Sequence, residues 1–235
     1  MTRPDRLHQL PKHRLLAEFS LWSADLIRLA DDIARVDAFV DIYHVDVSDG
    51  HFSPSFLFFP DQIARVRAVT ERPIHVHLMV EDSILLSQIA QFAEAGADLI
   101  SIHLENAATR DASLDLIESL GLKAGMVLKV DTPVAGIAPY LPRLSFLTLL
   151  GTAIGVKGQG LDPSATARLM QAAGLIATAG RTGATRLAAD GGIRETTVPL
   201  LSAAGAETVV MGSLAFGAPD LAARIAWIHG LKTAA

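Results

Sequence analysis

Histidine and aspartate alternate with apolar residues at two places in this chain, His44-Val45-Asp46 and His75-Val76-His77. In an extended strand alternate side chains share a face, so His44 points the same way as Asp46, and His75 the same way as His77. A third short apolar run ends in Asp190, directly before Gly191 and Gly192. The imidazoles of His44 and His77 with the carboxylates of Asp46 and Asp190 form a donor set that suits a divalent ion of the zinc, manganese or iron(II) kind. A single inward histidine is more often a hydrogen-bonded filler or a general base than a ligand. Four such groups at corresponding strand ends make a far more specific pattern. His75 lies deeper than His77 and is expected to support or pack. His103 ends another apolar run and fits either site lining or structure, and His51 follows Gly50 in a loop that could cover a site. His8, His13 and His229 read as ordinary surface residues.

A second set of signals is glycine-rich. GVKGQG at 155–160, Asp190-Gly191-Gly192 and Gly212-Ser213 all follow apolar runs in the last third of the chain. Glycine lets an anion approach the main chain, and a following helix N-terminus favours negative charge. Any one of these pairs is equally a tight turn, but their agreement in position points to a phosphate handle on the substrate. Lys157 either adds its charge to that anion or is a solvated loop residue.

The elements that must position these residues are legible as an alternation of short apolar runs with longer amphipathic segments. Strands are expected over 15–21, 39–47, 74–80, 98–104, 124–130, 144–150, 186–190 and 207–212. Helical patterns fall over 23–35, 82–95, 108–120, 163–179 and 196–204. AGAD at 95–98 and AGAE at 204–207 each end a helix on glycine and lead into a strand. Eight strands each followed by a helix, in a chain of 235 residues, predict an α/β fold of the closed (β/α)8 TIM barrel kind, of phosphate-binding type. The inward C-terminal strand ends then converge on the mouth, where barrel enzymes build their sites. An open doubly wound sheet would carry a glycine-rich dinucleotide turn after its first strand, where this chain has SLWSAD. No composition break divides the chain, so a single domain over 15–235 is expected, preceded by a mobile N-terminal arm over 1–14.

Composition narrows the partners. Lys and Arg number 20 against 25 Asp and Glu, giving a net charge of −5 with no basic cluster, which argues against nucleic acid and against an anionic membrane surface. With no cysteine, a disulfide framework, a thiolate metal site and a cysteine nucleophile are all excluded. The longest segment free of charge and histidine, 144–156, is well short of the ~20 residues that span a bilayer. The polar start MTRPDRLHQLPKHR lacks the apolar stretch of a secretory signal, and a cytoplasmic protein is expected.

The succession FSLWSAD, HVDVSDGHFSP, VHLM, ADLISIHLE, ADGG and MGS resembles the ribulose-phosphate 3-epimerase family, in order and spacing, over residues 17–217. That resemblance implies that His44, Asp46, His77 and Asp190 are metal ligands, and that Asp46 and Asp190 are also the acid/base pair. It matches Ser20 to a serine that contacts a substrate hydroxyl and Met79 to a methionine near the reacting carbons. It places the phosphate loops at Gly155 to Gly158, at Gly191 and Gly192, and at Gly212 and Ser213. It further implies self-association, commonly as dimers or hexamers. Sugar-phosphate decarboxylases of similar fold use an Asp-x-Lys-x-x-x-Asp constellation, and HVDVSDG has no lysine there. The chain also departs from the family pattern. AIGVKGQ at 153–159 replaces a loop that usually reads Asn or Glu, then Pro-Gly-Phe-Gly-Gly-Gln. Ser48 and Leu150 stand where methionines are usual, and Ser55 where asparagine is.

The activity so implied is metal-dependent epimerisation of a ketose phosphate, by default ribulose 5-phosphate to xylulose 5-phosphate, by two-aspartate proton transfer through an enediolate. No organic cofactor is needed, because a divalent metal ion provides the electron sink. The alternatives are the same chemistry on a tetrulose or hexulose phosphate, or a sugar-phosphate-binding protein without catalysis.

Overall fold

The computed structural model describes residues 4–231; residues 1–3 of the expected arm and 232–235 of the expected barrel segment lie outside the described residues. The strands in chain order are β1 (Leu16–Ser20), β2 (Ile42–Asp49), the two-residue β3 (Phe56–Leu57), β4 (Ile74–Met79), β5 (Leu99–His103), β6 (Lys123–Leu128), β7 (Phe146–Leu150), β8 (Arg186–Asp190) and β9 (Thr208–Met211). Apart from β3, which runs antiparallel to the end of β2, the strands pair in parallel in the order β1-β9-β8-β7-β6-β5-β4-β2, and β2 pairs back to β1. The result is a closed eight-stranded barrel. Around it lie α1 (Leu29–Val36), α2 (Pro60–Arg67), α3 (Asp82–Glu94), α4 (Arg110–Ser119), α5 (Ala165–Thr178), α6 (Val198–Ala203), α7 (Ser213–Phe216) and α8 (Leu221–Gly230).

Strand alternation divides the apolar residues between two clusters. Outward residues such as Ala17, Phe19, Tyr43, Val45, Val76 and Ile100 pack with helix residues such as Ile33, Ile63, Ile89 and Ile225 in the main core between barrel and helices. Leu16, Ile42, Leu99 and Phe146, at or near the N-terminal ends of their strands, form a separate cluster with Leu10 that fills the barrel floor. Above it the interior is polar: Glu18, His44, His75, Ser101 and Thr148, then Ser20, Asp46, His77 and His103 nearer the mouth, all buried. A polar barrel interior is not needed for packing and marks the C-terminal end as the working end.

Two helical expectations are corrected. Helix α1 begins at Leu29 rather than near residue 23. The Asp25 carboxylate accepts from the Ile27 amide, and the Asp25 amide donates to Asp32, local bonds that compete with a helical turn. Between β6 and β7 there is no α-helix, only short 3-10 turns at Val134–Ile137 and Leu141–Arg143. Pro133, Pro139 and Pro142 with Gly136 remove donors and stiffen the chain there. The described part of the arm makes contacts with the barrel. Arg6 bonds Glu71 and Asp98, Arg186 donates to the carbonyls of Leu10 and Pro11, and Leu10 plugs the floor. Among the described residues no helix is long and apolar enough to cross a membrane.

Asp41, just before β2, ties this floor together. It accepts from both terminal nitrogens of Arg14 at 2.7 and 2.8 Å and from the Ala17 amide at 2.9 Å, and it faces His229 Nε2 at 3.0 Å. His229, read from sequence as a surface residue, is therefore a structural partner. Burial opposes the Asp41 charge, but Arg14, His229 and the Ala17 amide outweigh it and hold the carboxyl far below its usual range. Asp41→Asn is expected to cost about 2–3 kcal/mol at pH 7, roughly 5–10 °C in Tm for a chain of this size. Because the folded-state pKa is depressed, this stabilisation is complete above about pH 4 and is lost as pH falls below that. Thermal scans at pH 7 and pH 3 check both points: the native–variant gap narrows at pH 3 without closing, and an equal Tm at pH 7 would refute the role.

Candidate active site

Strand register sets the side chains at one level of the barrel. Asp46 pairs with His77 across β2 and β4, Ser20 with His44 across β1 and β2, and Asp190 with Val210 across β8 and β9. One ligand atom from each of His44, Asp46, His77 and Asp190 lies within 4.8 Å of the others. His44 Nε2 stands 3.3 Å from Asp46 Oδ1 and 3.9 Å from Asp190 Oδ2. His77 Nδ1 stands 3.4 Å from the same Asp46 oxygen and 3.9 Å from the same Asp190 oxygen. Both imidazole nitrogens are buried and lack a hydrogen-bond partner, although two carboxylates face them. Tetrahedral coordination with bonds of about 2.0–2.1 Å requires ligand edges of about 3.3–3.4 Å. The donor chemistry, the two edges to Asp46 and the orphaned nitrogens therefore fit a divalent cation at this point, with Asp190 standing wider.

Each imidazole is oriented from behind. His44 Nδ1 faces Glu18 Oε2 at 2.8 Å. His77 Nε2 faces His103 Nε2 at 2.8 Å, and His103 Nδ1 faces Glu105 Oε2 at 3.0 Å. Burial pushes the His103 imidazole down to about 4, with Glu105 opposing and His77 adding to the shift. A neutral His103 accepts from His77 Nε2–H and donates through Nδ1–H to Glu105, which leaves the His77 Nδ1 lone pair for the centre. Glu105 Oε1 also accepts from the Lys129 amide and from Thr132 Oγ1, anchoring the chain to the loop after β6. His103 is thus support rather than lining, and so is His75. Sequence reading missed Glu18 and Glu105. The signal for Glu18 was its parity: it sits two residues before Ser20 in β1 and so shares that inward face.

The electrostatics separate the two aspartates. Burial opposes charge on Asp46, but His44 and His77 hold its carboxyl well below the usual range, and Ser20 Oγ donates to its Oδ2 at 2.7 Å. Burial and the neighbouring Asp46 charge push Asp190 up to about 6, against the pull of His44 and His77. A divalent charge between them would favour ionisation of both.

A cavity of about 380 Å³ opens above this centre. Asp46, His77 and Asp190 form part of its lining, while His44 lies beneath, so the candidate centre keeps an open side, as catalytic metal sites do. Ser20, Met79, Gly155, Gly158, Gly191, Gly192, Gly212 and Ser213 all line the same cavity, with Leu150 and Val210 as apolar wall. His51, Ser48 and Ser55 do not; Ser48 Oγ instead donates to the Ser55 carbonyl at 2.6 Å. Gly192 is required by both backbone and space: its φ is +69°, and a Cβ there would stand 2.8 Å from Leu161 Cα. Lys157 is not a free solvated lysine. It donates to the Trp22 carbonyl at 2.6 Å and lies 4.6 Å from the centre of the Trp22 ring, latching the 155–160 loop across the rim.

Comparison with known proteins agrees with this architecture. The family model described as "Ribulose-phosphate 3 epimerase family" matches residues 16–216. The ribulose-phosphate 3-epimerase of Bacillus subtilis is 35% identical over 214 residues, covering 91% of this chain and 97% of that protein. The Escherichia coli K12 ribulose-phosphate 3-epimerase is 34% identical over 204 residues, covering 86% and 88%. Among solved structures, 3-keto-L-gulonate-6-phosphate decarboxylase from Vibrio cholerae superposes with a TM-score of 0.67 at 14% identity, over 92% of this chain and 99% of that one, a likeness of fold alone. With its barrel closed as the sequence anticipated and relatives of this kind matching along nearly its whole length, the chain belongs to the ribulose-phosphate 3-epimerase family.

Proposed function

We propose that this chain interconverts ribulose 5-phosphate and xylulose 5-phosphate, with a divalent cation held by His44, Asp46, His77 and Asp190. The observation that carries this reading is the convergence of two orphaned imidazole nitrogens and two carboxylates on one point of the cavity floor. When bound, the cation supplies Lewis acidity that stabilises the negative charge developing on the ketone oxygen. Asp46 and Asp190 do the proton work: one carboxylate removes the C3 hydrogen and the other returns a proton to the opposite face of the planar enediolate. Their strands support this, because β2 and β8 are separated by β1 and β9 around the ring. Ser20 fixes the Asp46 carboxylate by its hydrogen bond, and Met79 and Leu150 exclude water from the carbon skeleton. The main chain at Gly191, Gly192, Gly212 and Ser213 takes the phosphate, with Gly155 and Gly158 on the covering loop. Phosphate binding far from C3 orients the sugar so that each face meets one carboxylate. A cytoplasmic location is proposed with this substrate, and self-association is proposed with the family.

The test is turnover of ribulose 5-phosphate, a tetrulose phosphate and a hexulose phosphate by protein of measured metal content in deuterated water. We expect the highest kcat/KM with ribulose 5-phosphate and deuterium incorporated at C3. A higher kcat/KM with another ketose phosphate would reassign the substrate, which the altered loop at 153–159 makes worth measuring. Binding without exchange would refute catalysis.

A further inference from the structure

Glu18 is wholly inaccessible inside the barrel, one layer below Ser20. Its Oε2 faces two imidazole nitrogens at once, His44 Nδ1 at 2.8 Å and His75 Nδ1 at 3.0 Å, while its Oε1 has no partner. His75 turns its other nitrogen to Ser101 Oγ at 2.6 Å. Room for that hydroxyl comes from Gly125 on the next strand, where a Cβ would stand 2.0 Å from Ser101 Oγ. An ionised carboxylate only accepts hydrogen bonds, so one oxygen facing two Nδ1 atoms requires a proton on each. Ser101 then donates to His75 Nε2. His44 is left with its Nε2 lone pair aimed at Asp46 and Asp190.

We infer that Glu18 is a positioning residue that locks His44 in the Nδ1–H tautomer and sets a negative charge behind it, raising its donor strength at Nε2; this rests on the metal centre proposed above. The arrangement is asymmetric, since His77 is backed by an imidazole, His103, and only at one remove by a carboxylate. Burying a carboxylate fully is costly because it loses its hydration, so filling volume is a poor account of it. Its two contacts explain it: one reaches a candidate ligand, and the other, through His75 and Ser101, holds the carboxylate in place.

The experiment compares the full-length native protein with Glu18→Gln. Both are stripped of metal, and their zinc affinity is measured by competition with a chromophoric chelator, beside their metal-free Tm. Weakening of zinc binding by about 10–100-fold is expected for Glu18→Gln. Affinity within about twofold of native, with only Tm lowered, would leave Glu18 a structural role and overturn the inference. Zinc-loaded native protein with ¹⁵N-labelled histidine supplies a readout that needs no variant to fold. His44 is expected as the Nδ1–H tautomer with its proton protected from exchange, and an Nε2–H tautomer overturns the inference. Native protein that binds no zinc overturns this and the metal reading together, whereas native binding with an unaffected Glu18→Gln overturns this one alone.

Discussion

Asp190→Asn is expected to lower kcat for epimerisation by about 10²–10⁴-fold while sparing exchange of the C3 hydrogen with solvent from one of the two epimers. Asp46 and Asp190 rise from strands on well-separated sides of the ring, yet each brings an oxygen to the same point of the cavity floor. A planar intermediate standing edge-on between the two carboxylates would present one face to each. With Asp190 as Asn, Asp46 still removes the hydrogen on its own side and can only return it to that side, so deuterium washes in without inversion. Asp46→Asn should show the mirror pattern, with exchange from the other epimer. Nuclear magnetic resonance in deuterated water, started from each epimer in turn, reads both quantities. Metal content is measured in parallel, because each substitution also weakens a candidate ligand. Near-native epimerisation in both variants would defeat the two-carboxylate reading, and exchange from both epimers in either variant would mean that a single base serves both faces.

The barrel was legible because its strands are short, apolar and separated by amphipathic segments, and period-2 alternation carried over directly to the inward face. That rule singled out His44, Asp46 and His77, and Asp190 was singled out by its place before Gly191 and Gly192. What stayed hidden has identifiable causes. Glu18 sits in the run LLAEFSL, where a lone charge looks like an interruption, although its parity with Ser20 turns it inward. Glu105 lies outside the cavity lining and reaches the site through His103. The polar, proline-bearing start of the chain gave no sign that Leu10 would fill the barrel floor, because two leucines, Leu7 and Leu10, in a polar segment are too few to show a periodicity. Between β6 and β7, three prolines forbade the helix that the fold-level pattern demanded, and local chemistry prevailed over the repeat. Lys157 was ambiguous for a different reason: its partner, the Trp22 carbonyl, is a main-chain atom more than a hundred residues away.

Removal of divalent metal with a chelator is expected to abolish turnover and to lower Tm, with both restored on adding zinc, manganese or iron(II). At a metal concentration about a thousandfold above Kd, linkage gives about 4 kcal/mol of stabilisation, equivalent to roughly 8–16 °C for a chain of this size. The structure says why the effect should be this direct. Without a cation, Asp46 and Asp190 face each other across two buried nitrogens that no protein donor satisfies. A cation compensates both carboxylates and both nitrogens at once, and none of these groups has an equivalent partner in the unfolded chain. His77→Gln separates the two consequences. It removes one nitrogen donor but leaves both carboxylates, so the metal-dependent rise in Tm should shrink, and activity should need much higher metal to recover. A stripped protein with native kcat and native Tm would refute the metal centre. If Tm falls on stripping but turnover persists, the cation is structural, and the electrophile must be sought among the cavity's own donors, which include Lys157 and Arg194.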